Sequence, residues 1–121
     1  MRSLSVSIAA AVLVLAGAAE AHPKLVSASP MPNMTVAGPA RVELRFSEKL
    51  MPAFSKADLA MIGAKGRPAM KVASVAALAR DGRTLVITPK GQFRPGRYGV
   101  MWHVVSADTH RVAGSYAFAV K

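Results

Sequence analysis

Arg41-Val42-Glu43-Leu44-Arg45-Phe46 alternates charge and apolar bulk at every step. Successive side chains of an extended backbone point to opposite faces, so Val42, Leu44 and Phe46 share one face and Arg41, Glu43 and Arg45 the other. The period is that of a half-buried strand, and the rest of the chain reads in the same terms. Upstream, Lys24-Leu25-Val26-Ser27-Ala28-Ser29 has strand character and is broken by Pro30-Met31-Pro32-Asn33, because proline cannot donate to a ladder. A first edge strand followed by a loop is expected there.

Downstream, Ser47 to Pro52 reads as a turn or short helical piece, and Asp58-Leu59-Ala60-Met61-Ile62 as a further strand. Gly63 to Pro68 is a loop, and Met70 to Ala77 a single strand of small and β-branched residues. Asp81-Gly82 is a hairpin signal directly before Thr84-Leu85-Val86-Ile87-Thr88. A loop from Pro89 to Gly96 leads into Tyr98-Gly99-Val100-Met101-Trp102-His103-Val104-Val105. Ser115 to Val120 closes the chain with Tyr116, Phe118 and Val120 inward. About seven short strands, turn signals between them and no amphipathic helix predict an all-β chain, an antiparallel sandwich of immunoglobulin-like type. Tyr98 and Trp102 are its expected packing residues, with Tyr98 forming a tyrosine corner. Alternation with Tyr98, Val100, Trp102 and Val104 turns His103 outward, so His103 is expected to be a surface histidine and no ligand.

The N-terminus carries a second signal. Met1 and Arg2 precede an uncharged apolar run that ends in Ala19-Glu20-Ala21, the pattern of a secretory signal peptide over residues 1–21 with an A-x-A cleavage site. Cleavage would leave one domain, residues 22–121, beginning at His22. A first residue of this kind offers an α-amine and an imidazole that can chelate one ion. On that motif alone, a histidine that merely sits beside a cleavage point is the simpler account. Pro23 bears on the donor atoms, since it has no N–H to deprotonate and bind; protection of the new terminus, or the start of an edge strand, would also explain it.

Composition narrows the classes. There is no cysteine, so disulfides and thiolate ligands are excluded and the domain must be held by core packing. Net charge is +10, and only Arg2 and Glu20 of the charged residues lie in the signal segment. Such a charge favours anionic surfaces, whether lipid headgroups or an acidic protein, or else is simply a solvated basic surface. The basic residues are spread evenly and lack interleaved exposed aromatic pairs, so no nucleic-acid partner is expected. Between the last two strands, Asp108 and His110 stand two apart and in an extended segment would project to one side. Carboxylate and imidazole there, joined by His22, would give a nitrogen-rich set suited to Cu(II). A lone D-x-H more often marks a surface loop, and the case here rests on its conjunction with His22.

Three stretches together carry a resemblance: His22-Pro23-Lys24-Leu25-Val26-Ser27-Ala28-Ser29-Pro30, Val42-Glu43-Leu44-Arg45-Phe46-Ser47-Glu48, and Trp102-His103-Val104-Val105-Ser106-Ala107-Asp108-Thr109-His110. The chain resembles the CopC family of periplasmic copper-resistance proteins over almost all of residues 22–121. The resemblance implies a Greek-key β-barrel or sandwich that binds Cu(II) through the amine and ring of His22 with Asp108 and His110, and Glu48 close beside them. Many members also hold Cu(I) in a methionine-rich loop. The matching stretch here, Met61 to Met70, keeps a methionine at each end and lacks the central methionines and the histidine. Two thioethers are too few for tight Cu(I) binding, which places the chain with members that have the Cu(II) site alone. Met31, Met34, Met51, Met61, Met70 and Met101 are read as core or loop filler. The implied role is a monomeric periplasmic carrier or buffer that is not an enzyme and works with an inner-membrane CopD-like copper transporter. Two other readings stand beside it: a copper oxidase built on an N-terminal histidine chelate, and a metal-free exported immunoglobulin-like module.

Overall fold

The structure, a computed structural model, describes residues 22–121; the signal-peptide reading of residues 1–21 lies outside them. The strands are β1 (Leu25–Ser29), β2 (Thr35–Val36), β3 (Val42–Phe46), β4 (Lys56–Met61), β5 (Met70–Val72), β6 (Ser74–Leu78), β7 (Thr84–Pro89), β8 (Gly96–Val105) and β9 (Arg111–Val120). A single 3-10 turn spans Pro52–Phe54. One sheet has the order β1-β3-β7-β6 and the other β2-β9-β8-β4-β5. Every pairing is antiparallel except that of β2 with β9.

The alternation at 41–46 does what its period requires. Val42, Leu44 and Phe46 are buried, and they meet Leu85 and Ile87 of β7, Ala57 and Leu59 of β4, Val100, Trp102 and Val104 of β8 and Phe118 and Val120 of β9 in one core between the sheets. Burial of each large side chain contributes about 1.5–3 kcal/mol. Without a disulfide this layer holds the sandwich together. Tyr98 makes the expected corner: its hydroxyl donates to the Arg94 carbonyl at 2.7 Å and accepts from the Arg94 N–H at 2.9 Å. Its ring stacks on Phe118.

Two boundaries differ from the sequence expectation. Residues 70–77 form two strands in different sheets, β5 paired with β4 and β6 paired with β7, and the chain crosses between sheets at Ala73. β9 starts at Arg111 and runs through Gly114, because a Cβ there would lie 2.5 Å from the Trp102 ring; the glycine makes room for the indole and does not end the strand. Nine strands result where about seven were expected.

One end of the sandwich gathers the segments 22–24, 47–50, 79–83 and 106–110. Leu50 bridges to Ser106, the Leu50 N–H donates to the Gly82 carbonyl at 2.8 Å, and the Ser47 N–H donates to the Lys24 carbonyl at 2.8 Å. The loop 62–69 lies at the opposite end of β4 and β8.

Candidate metal centre

His22 is positioned by its two neighbours along the chain, Pro23 and Lys24. The Pro23 side chain is fully buried, and Lys24 is tied to the end of β3 twice, its N–H donating to Ser47 Oγ at 2.9 Å and its carbonyl accepting from the Ser47 N–H. Ser47 is held in turn, since Arg83 Nη1 donates to its carbonyl. A wedge that cannot leave the core without exposing apolar surface therefore holds His22 at this end of the sandwich, with its own ring exposed.

The β8–β9 connection brings the other two residues there. The Thr109 N–H donates to the Ser106 carbonyl at 2.8 Å, the Ser106 N–H donates to the His110 carbonyl at 2.9 Å, and Thr109 has φ 74°. This is a hairpin loop built on a type I turn followed by a left-handed residue. Asp108 and His110 thus share a tight turn, where the sequence reading had them extended. At its centre lies Ser106, 1% exposed, whose hydroxyl donates to Asp108 Oδ1 and accepts from the His110 N–H at 3.2 Å. One buried hydroxyl so fixes both residues, and the Ala107 N–H bond to the Lys49 carbonyl at 2.8 Å fastens the turn to the segment after β3.

The His22 and His110 rings meet edge to face, with centroids 4.8 Å apart and planes at 78°. His110 Nδ1 lies 3.2 Å from Asp108 Oδ1, with the two side chains 42% and 50% exposed. That distance allows electrostatic attraction, though the two atoms are not hydrogen-bonded. His110 Nδ1 is the buried side-chain nitrogen among the described residues that no hydrogen bond satisfies. The Asp108 carboxyl is held below its ordinary value of 3.8, first by the Ser106 hydroxyl and then by His110, so at neutral pH it is an anion. Glu48 is half-buried and lines one hollow with Ser106 and Asp108, as do Lys49 and Arg83.

The three residues form a sequence of neighbours, His22 against His110 and His110 against Asp108. Among the described residues, no three His, Cys, Asp or Glu side chains converge at ligand distances on one point. In the full sequence His22 follows Ala21, so its nitrogen is a peptide nitrogen and not an amine. The donor chemistry nonetheless suits a Cu(II)-type ion: an unsatisfied imidazole nitrogen, an anionic carboxylate and a second, accessible imidazole are the nitrogen and oxygen donors that tetragonal copper takes.

Other candidates fall elsewhere. His103 is exposed on β8, paired with Lys56 and Ala113, and takes no part in the cluster. Trp102 is buried, its ring centroid 6.2 Å from that of Phe46 and 5.9 Å from that of Tyr116. Met61 and Met70 face each other in register at the base of the 62–69 loop. Met61 packs against the core, with its methyl group where a Cβ on Gly96 would lie, while Met70 is exposed. Met31, Met34 and Met101 are exposed as well, so Met101 fills no core: it stands on the outer face of β8. Ser106, Ser47 and the burial of Pro23 were not singled out from sequence. The Ser-x-Asp spacing at 106–108, a common turn former, was the available signal for the first.

Comparison with known proteins bears on the whole of this domain. A family model described as the CopC domain matches residues 25–121. Copper resistance protein C of Xanthomonas campestris pv. juglandis is 46% identical over 123 residues, covering 99% of this chain and 97% of that protein. Its counterpart in Pseudomonas syringae pv. tomato is 42% identical over 122 residues, with the same coverage of 99% and 97%. Among solved structures, PcoC from Escherichia coli, described as a methionine-rich copper resistance protein, superposes with a TM-score of 0.78 at 42% identity, over 84% of this chain and all of that one. CopC from Methylosinus trichosporium OB3b gives 0.68 at 33% identity, over 83% and 94%.

Proposed function

From its membership of the CopC family of copper resistance proteins, we propose that the chain is exported, begins at His22 after cleavage, and carries or buffers Cu(II) in the periplasm. The observation that carries this reading is the meeting of His22 with His110 beside Asp108, where a buried imidazole nitrogen has no hydrogen-bond partner. In the processed protein the His22 α-amine and ring form a chelate, His110 adds an imidazole and Asp108 a carboxylate. Glu48, in the hollow it shares with Asp108, adds negative potential behind the site. Ser106 holds Asp108 and His110 in place before the ion arrives, which lowers the cost of assembling the ligand set.

The protein on this reading binds and passes on its cargo and does not transform a substrate. A carboxylate in the ligand set stabilises the higher oxidation state and fills a position that oxygen activation would need open. The receiving partner is an inner-membrane transporter of the CopD-like kind, and the working form is a monomer. With one core methionine and one solvent-exposed methionine beside the 62–69 loop, Cu(I) is held weakly.

The test is an electron paramagnetic resonance spectrum of the processed protein loaded with one equivalent of Cu(II), compared with a variant that keeps one residue before His22. The added residue turns the amine into a peptide nitrogen and changes no side chain. Native protein should show a tetragonal spectrum with several nitrogens. The extended form should lose a nitrogen and bind more than about a hundredfold more weakly, beyond the tenfold to hundredfold that outer partners of ligands are worth. Both donors must be deprotonated, so native affinity should rise with pH up to roughly 8, the range of a free α-amine, and the extended form should lose the upper part of that rise. Identical spectra and affinities would dispose of the N-terminal chelate.

A further inference from the structure

Beside the metal-bearing turn, on the outer side of the five-stranded sheet, runs a groove that the copper site does not use. Phe54 lines it together with Lys56, His103, Arg111, Val112 and Ala113. Its shape is preformed. Buried Ser55 accepts a hydrogen bond at Oγ from the Val105 N–H at 3.1 Å, and the Met51 N–H donates to the Val105 carbonyl at 2.8 Å, so the 3-10 turn is fastened to the end of β8 on both sides of Phe54.

Chemistry and place both restrict what the groove can accept. Its lining holds the cations Lys56 and Arg111 and the imidazole His103 but no carboxylate. The nearest outward carboxylate along β4, Asp58, faces Lys71 at 3.7 Å. Phe54 is 56% exposed, a large aromatic left in water on a rigid turn. Arg111 directly follows His110, so an occupant of the groove lies against the turn that carries Asp108 and His110.

We propose that this groove docks an acidic, extended peptide segment of the protein that exchanges copper with this one. Carboxylates complement Lys56 and Arg111, and an apolar side chain between them covers Phe54. A concave site favours a chain over a bilayer, since a flat headgroup surface reaches protruding residues and leaves the floor of a groove untouched. Complementary charge in a chain of net charge +10 speeds encounter, while the groove fixes orientation. The purpose assigned to the groove rests on the copper-carrying reading; the docking itself does not need the metal.

The experiment measures docking without copper. A fluorescent peptide of alternating glutamate and leucine is titrated with the protein at physiological ionic strength, followed by anisotropy. Lys56→Glu, Arg111→Glu and Phe54→Ala alter exposed groove residues and leave the core intact. Lys90→Glu makes the same charge change on an exposed residue at the other end of the sandwich. At this salt the screening length is about 8 Å, so a distant charge contributes little. The groove charge variants should each weaken peptide binding about tenfold by opposing like charges, Phe54→Ala should weaken it several-fold, and Lys90→Glu should leave it within about twofold. Equal losses in Lys90→Glu and the groove variants would mean unspecific attraction and overturn the proposal, as would absence of binding or indifference to Phe54→Ala. Groove-dependent sedimentation with phosphatidylglycerol vesicles in place of peptide binding would assign the surface to lipid and overturn it too. Lys56→Glu should retain native Cu(II) affinity, so loss of docking and failure of the copper reading register in separate measurements.

Discussion

The turn 106–110 and the loop 62–69 cap opposite ends of the same strands, and they are built in opposite ways. In the turn, a serine with 1% exposure is hydrogen-bonded to the residues on either side of it in space, and neighbouring segments tie it to the body of the sandwich. Residues 64–69 are exposed without exception, and their internal backbone bond is that of the Arg67 N–H to the Ala64 carbonyl at 2.8 Å. A donor set costs least to assemble where its residues are already ordered. The end with a buried polar hub holds Asp108 and His110 to one geometry, while the open loop at the other end carries no methionine of its own and has Met61 and Met70 only at its base, one packed against the core and one exposed.

The difference is broken most directly by removing donors from each end. His110→Ala and Asp108→Ala should each weaken Cu(II) binding by about a hundredfold or more, since a lost ligand exceeds the tenfold to hundredfold of an outer partner. Met70→Ala and Met61→Leu should leave it unchanged. Competition against a calibrated chelator, followed by Trp102 fluorescence, reads all four. If the methionine variants weakened Cu(II) as much as the turn variants, the two ends would not be specialised.

Next in size is the hub. Ser106→Ala leaves every donor in place but removes the hydroxyl that holds Asp108 and His110, so Cu(II) affinity should fall tenfold to a hundredfold. The resonance spectrum should broaden as the ligand set loses its single arrangement. Stability should drop by about 1–3 kcal/mol, because the partners of a buried hydroxyl are left unmet. An unchanged spectrum with lowered stability would make Ser106 a fold residue and nothing more.

A smaller effect comes from pH in the metal-free protein. Asp108 has its folded pKa depressed below 3.8 by Ser106 and then His110, and Asp81 is depressed likewise by Thr84 and the Arg83 N–H in the β6–β7 hairpin. A depressed carboxyl adds stability that is fully present above its unfolded pKa of about 3.9 and disappears as pH falls through the folded value. Asp108→Asn should therefore lower stability at neutral pH, where the contribution is fully present, and converge with the native protein in acid, so that the acid limb below about pH 4 is flatter. Urea midpoints across that range decide it.

These residues also show what the sequence could and could not disclose. Strict alternation marked β3, and Asp81-Gly82 marked the β6–β7 hairpin, because period and turn chemistry are local properties. The sheet crossing at Ala73 was invisible: Val72-Ala73-Ser74 has no glycine or proline, and the break exists because Met70–Val72 and Ser74–Leu78 pair with strands from different sheets. The last strand was read from Ser115 and not from Arg111, because the indole that Gly114 makes room for comes from a residue twelve positions earlier. At the site, spacing supplied Asp108 and His110, while the buried hydroxyl that joins them depends on the turn and on the core beneath it.

The smallest expected effect exchanges a backbone feature between the two ends. Thr109 holds φ 74°, a left-handed conformation that a β-branched residue adopts at a cost of roughly 1–3 kcal/mol. Gly66 holds φ 87° in the opposite loop with nothing within 4 Å of where a Cβ would stand. Thr109→Gly removes the strain, gives up the Thr109 hydroxyl bond to the Asp108 carbonyl, and adds about 0.5–1 kcal/mol of chain entropy to the unfolded state. The balance should be a gain of about 1 kcal/mol or less, a rise in midpoint of roughly 4 °C at most. Gly66→Ala should lose a similar amount, since space is free there and only the backbone resists. Because Ser106 and not Thr109 holds Asp108 and His110, Cu(II) affinity should stay native in both variants. A stabilised Thr109→Gly protein with much weaker copper binding would mean that the strained threonine is part of what presets the site, and the buried serine would no longer account for the order of that end on its own.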